Sequence, residues 1–72
     1  MNEMSRITIE NYCMTHKSAK SRRLAKLVEM SYDMGCMPTD SDALFLERCI
    51  EDEADPELQG ALMDLDDFLF RW

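Results

Sequence analysis

The run Asp55-Pro56-Glu57 followed by apolar residues at 58, 61, 62, 65, 69 and 72 constrains this chain more than any other feature. Asp is a strong helix cap, Pro fits the first helical position, and Glu meets the positive end of the helix dipole. The apolar positions Leu58, Ala61, Leu62, Leu65, Leu69 and Trp72 repeat at helical spacing, so one face of a helix running nearly to Trp72 is built for burial.

A stripe of that kind needs covering, and the rest of the chain supplies three more helices. The first is expected from a Thr8 cap to about His16, with Ile9, Tyr12, Cys13 and His16 along one face, although Ile7-Thr8-Ile9 also suits an extended segment. The second is expected from Ser18 to Met34, burying Leu24, Leu27, Val28, Ser31 and Tyr32, with Gly35 as a left-handed cap. Its opposite side, Arg22, Lys26, Glu29 and Asp33, forms a polar stripe. After Cys36-Met37-Pro38, the run Thr39-Asp40-Ser41-Asp42 offers caps for a third helix to about Glu53, burying Leu46, Cys49 and Ile50 with Ala43 and Phe45 at the flanks.

With only 2 Gly and 2 Pro, and no repeat or linker, the chain reads as a single all-α domain over residues 1–72, a small bundle of three to four short helices. A domain of this size buries only about 60% of its unfolded surface, so a partner or dimer interface is a natural source of added stability. The 46% hydrophobic and 32% charged content is that of a folding chain.

No basic, then apolar, leader and no 18-residue apolar run occurs, and the 3 cysteines, Cys13, Cys36 and Cys49, are odd in number and far apart. These features suit a reducing cytoplasm better than a disulfide scaffold. Cys13-x2-His16 with Cys36 and Cys49 lacks the paired spacing of zinc ribbons, so no metal or other cofactor is expected. Asp64-Leu65-Asp66-Asp67 lacks the Gly and distal Glu of a calcium loop. Gly35 and Gly60 stand alone rather than in a phosphate-cradling loop. His16 is the only histidine and has Lys17 and Lys20 rather than a carboxylate nearby, so a catalytic role is not expected.

Charge is distributed unevenly. Residues 1–28 carry six basic and two acidic side chains, or +4, while residues 29–72 carry two basic and thirteen acidic, or -11, giving the net -7. Acidic residues gather at Glu51, Asp52, Glu53, Asp55 and Glu57, then at Asp64, Asp66 and Asp67. At 100 degrees per residue, Met63 and Phe70 fall together about 140 degrees from the centre of the fourth helix's apolar stripe, beside Asp66 and Asp67. Apolar anchors inside a charged rim are what a protein contact requires.

The resulting expectation is a non-enzymatic regulator that binds another protein through Asp52, Glu53, Asp55, Glu57, Met63, Asp64, Asp66, Asp67 and Phe70. Carboxylates spread over helices can imitate a row of phosphates, as in small acidic inhibitors from phages and mobile elements, so the expected target class is a nucleic-acid-binding protein. The alternative is a small nucleic-acid-binding module using Lys17, Lys20, Arg22, Arg23 and Lys26 at the start of the second helix. The net negative charge weighs against it. A homodimer pairing basic and acidic halves is a third arrangement.

Leu24-Ala25-Lys26-Leu27-Val28-Glu29 through Tyr32, with Asp42-Ala43-Leu44-Phe45, is similar to the middle of the haemolysin-expression-modulating family of small enterobacterial helical proteins. That family carries an alanine-aspartate-histidine-arginine run in its following helix, where this chain has Cys49-Ile50-Glu51-Asp52. The similarity spans about a quarter of the chain and transfers no binding residue.

Overall fold

The computed structural model describes residues 1–32 and 37–71. Four helices follow one another: α1 (Glu3–Thr15), α2 (Ala19–Met30), α3 (Asp40–Asp52) and α4 (Pro56–Phe70). No strand occurs among the described residues, and the molecule is the small all-α bundle expected from the sequence.

Helix α1 begins six residues earlier than the Thr8 cap predicts. Asn2 caps it instead, its side chain accepting a hydrogen bond from the Met4 N–H at 2.8 Å. Arg6 then pairs with Glu3 and Glu10 at 3.4 and 3.0 Å, and Thr8 turns its hydroxyl back to the Met4 carbonyl at 2.8 Å. These i,i+3 and i,i+4 contacts outweigh the extended preference of Ile7-Thr8-Ile9. His16 caps the far end and is exposed rather than part of the core.

The caps of the other three helices are Ser18, Thr39 and Asp55. Ser18 and Ser21 form a reciprocal capping box, which also satisfies the buried Ser21 hydroxyl. Helix α2 is shorter than expected: Ser31 and Tyr32 form a turn, with the Ser31 N–H bonded to the Val28 carbonyl, and Tyr32 is exposed. The expected cap at Gly35 and the helix end at Met34 lie outside the described residues. Thr39 and Asp42 make a second capping box at 3.0–3.2 Å, and the Asp55 carboxylate accepts from the Glu57 N–H at 3.0 Å ahead of Pro56.

The apolar stripes converge on one core of Ile9, Leu24, Leu27, Val28, Leu46, Cys49, Leu58, Ala61, Leu62, Leu65 and Leu69. Each fully buried Leu or Ile contributes about 1.5–3 kcal/mol of hydrophobic transfer free energy. Trp72, expected to extend the α4 stripe, lies outside the described residues. Helix α1 packs on α2 and α4, and α3 packs on α4. The α2–α3 side is different. There the helices stay further apart and are bridged by a long side chain: Arg23 reaches across to Ser41 at 3.0 Å and Asp42 at 3.2 Å, with its guanidinium 4.4 Å from the Phe45 ring centroid.

Candidate protein-docking surfaces

Helix α4 spends one face on the core and turns another outward. Pro56, Gly60, Met63 and Asp67, spaced i, i+4, i+7 and i+11, form that outer face, and Met63 is 51% exposed. Gly60 sits within the helix, and a Cβ added there would meet nothing within 4 Å. No positive φ occurs at a described glycine, so neither backbone nor packing requires glycine at this position. Glycine in a helix interior is less stable than alanine by about 0.8–1.0 kcal/mol. The flat spot beside Met63 is therefore held against helix propensity.

Phe70 does not share the exposure of Met63. Residue 70 is still helical, but its ring is half-buried and packed against the core. At the last helical residue, no following turn holds the ring outward, so it covers the end of the bundle. The exposed aromatic of α4 is Phe68, which is not among the expected contact residues. Phe68 lies four residues beyond Asp64 on the other edge of the core stripe, and the signal for it was that boundary position.

The carboxylates divide into structural and free groups. Asp64 accepts the Asn2 N–H at 3.1 Å and ties the start of α1 to α4. Asp66 is mostly covered and binds Arg71 Nε at 3.1 Å, while exposed Asp67 lies 3.8 Å from the same nitrogen. Glu53 accepts from the Asp55 N–H at 3.1 Å, and Asp55 caps α4. Glu51, Asp52 and Glu57 are exposed and have no ion pair or hydrogen bond from their side chains among the described residues. Unpaired negative charge thus lies at the end of α3, on Glu51 and Asp52, and in the first turn of α4, on Glu57, while Asp67 on the outer face of α4 is paired with Arg71.

The basic residues at the start of α2 are also split. Lys17, Arg22 and Lys26 are exposed, whereas Lys20 is half-buried with its ammonium 5.7 Å from the Tyr12 ring centroid. Arg23 is committed to Asp42 and Phe45. Because Thr39 and Arg23 both bond the Asp42 carboxylate, its pKa is held below the ordinary carboxylate value, the Thr39 backbone bond being the largest cause. Between α2 and α3 lies an open cleft of about 470 Å³, walled by Lys20 and Arg23 on one side and Leu44, Phe45, Arg48 and Asp52 on the other.

Cys13 and Cys49 are free thiols, and burial raises the pKa of both; Glu10 adds to the effect at Cys13. Cys13 donates a hydrogen bond from its thiol to the Ser21 carbonyl at 3.2 Å. His16 stacks on Tyr12 with centroids 4.3 Å apart and contacts the Thr15 hydroxyl at 2.9 Å, with no carboxylate orienting the ring among the described residues. No group of three or more His, Cys, Asp or Glu side chains able to hold a metal ion occurs among the described residues. No described helix is long and apolar enough to cross a membrane. The chain matches no family model, no curated protein and no solved structure.

Proposed function

We propose that this chain is a non-enzymatic cytoplasmic interaction protein that docks a positively charged partner on the outer face of α4 and the adjoining α3–α4 turn. The observation that carries this reading is the exposed spot beside Met63 at Gly60, a residue that helix propensity disfavours and packing does not explain, near Glu57, Asp67 and the free carboxylates of Glu51 and Asp52 at the end of α3. A flat glycine lets a partner approach closely, and Met63 is a flexible apolar anchor beside it. Charge at the rim speeds and orients encounter with a basic surface. A nucleic-acid-binding protein fits that description, because its phosphate-binding groove presents the complementary charge. The unpaired thiols of Cys13 and Cys49 suit a reducing compartment.

The test is affinity capture of the tagged chain from nuclease-treated bacterial lysate at low and high salt, beside a Glu57→Lys/Asp67→Lys variant. These two positions are chosen because Asp64 and Asp66 are engaged within the fold, Asp64 by the Asn2 N–H and Asp66, mostly covered, by Arg71. Capture of one basic protein by the wild type, lost at high salt and in the double variant, supports the reading. Equal capture by the variant, or retention of nucleic acid alone from untreated lysate, contradicts it.

A further inference from the structure

The α2–α3 side of the molecule has a charge pattern of its own, which adjoins the proposed docking surface only at Glu51 and Asp52 near the end of α3. The cleft there is lined by three cations, Lys20, Arg23 and Arg48, against one carboxylate, Asp52, in a protein of net charge -7. On the α2 edge the positive charge continues to Lys26, exposed and without an ion pair among the described residues. On the α3 edge the sign reverses: Glu47 and Glu51 lie one turn apart, exposed and likewise unpaired. Between the two edges stands Leu44, 59% exposed beside the half-buried Phe45.

A patch that is positive along one edge, negative along the other, and carries Leu44 with the opposite charges of Arg48 and Asp52 between them is complementary to itself. Rotation by 180 degrees about an axis through its centre lays each positive edge on the other copy's negative edge, and this happens twice. The Leu44 side chains meet on the axis. We propose that this face pairs with a second copy of the chain in a two-fold dimer, with Lys20 and Lys26 of each protomer facing Glu47 and Glu51 of the other and the Leu44 side chains packed together between the clefts.

Charge complementarity selects this occupant over a nucleic acid. A polyanion following Lys20 and Lys26 across the cleft would run onto Asp52, Glu51 and Glu47, where like charge repels it, whereas a second copy brings a cation to those carboxylates. The open shape of the cleft also suits a protein surface. A small domain with limited core gains from such an interface. The inference stands whether or not α4 docks a partner.

The decisive experiment is the solution mass of the full chain at tens of micromolar, measured by light scattering at low and high salt, for the wild type and two charge-reversed variants. The wild type is expected at the mass of two chains at low salt and to dissociate as salt rises. Lys20→Glu/Lys26→Glu and Glu47→Lys/Glu51→Lys are each expected to be monomeric, and their equimolar mixture to form a dimer again, since each supplies the edge that the other has lost. Leu44→Glu, at a position exposed in the monomer, is expected to lower the association constant by at least tenfold while the helical circular dichroism is unchanged. A wild type that is monomeric at low salt overturns the proposal, as does a mixture that fails to associate. A DNA duplex shifted by the wild-type chain and released by Lys20→Glu/Lys26→Glu would assign that edge to phosphates and overturn it as well.

Discussion

The seam between α1 and α4 and the side where α2 faces α3 are built from different materials. Along the first, Ile9 of α1 and Leu58, Leu62, Leu65 and Leu69 of α4 belong to one buried core and the helices pack closely. Along the second, one arginine spans a gap, and charged side chains line the cleft. Buried apolar area supplies most of the folding free energy, while partly exposed ion pairs supply about 1 kcal/mol or less. The α1–α4 seam therefore holds the bundle together, and the α2–α3 side can carry charge because less of the stability depends on it. Surfaces available for recognition are then those where the chain keeps Met63, Leu44 and unpaired carboxylates in water.

The contrast is broken most directly at Leu65, which has no exposed area. Leu65→Ala is expected to cost roughly 2–5 kcal/mol in urea unfolding, and a loss below about 1 kcal/mol would mean the α1–α4 seam does not dominate. Arg23→Ala removes the α2–α3 bridge, and the expected loss is only about 1–2 kcal/mol, from the Asp42 pair, the Ser41 hydrogen bond and the contact with Phe45.

Asp42 sharpens the comparison through pH. Its pKa is lowered in the folded state, so the carboxylate stabilises the fold above the ordinary value near 3.8, and this contribution is lost as pH falls through the lower folded value. Wild type should therefore exceed Asp42→Asn by about 1 kcal/mol at about pH 6. The urea midpoints of the two should draw together as pH falls below the ordinary value near 3.8; a gap that stays constant as the solution is acidified would show that Asp42 is not acting as an anion. The smallest effect has the opposite sign. Gly60→Ala is expected to stabilise the fold by about 0.5–1 kcal/mol, because the added methyl meets open space and alanine favours the helix. A lower melting temperature for that variant would reveal a structural need for glycine.

The fold was largely legible because three of the four helices begin at caps that stand directly before an apolar stripe in the sequence, and all four carry such a stripe at helical spacing. Thr39, Asp55 and Ser18 each stand where the chain enters a helix. The start of α1 was misplaced because Thr8 resembles a cap in sequence, while its hydroxyl in fact bonds back within a helix that Asn2 opens. The proposed docking surface was legible only in part. Periodicity placed Met63 outward, but it carries no information on how a terminal aromatic such as Phe70 folds over the end of a bundle. Nor does composition distinguish a free carboxylate from a working one. The roles of Asp64 with Asn2 and Asp66 with Arg71 depend on contacts that only the folded chain creates. Gly60 attracted notice in sequence only as an isolated glycine, and its significance came from the empty space around it.

The central claim is that the outer face of α4 is kept flat for a partner, and the most direct measurement is capture from nuclease-treated lysate by wild type, Gly60→Ala and Gly60→Trp in parallel, with melting temperatures recorded for each. The account predicts that all three fold, that Gly60→Ala melts highest, and that Gly60→Trp loses the protein captured by the wild type. If Gly60→Trp retains that protein at the wild-type level, the outer face of α4 is not the docking surface.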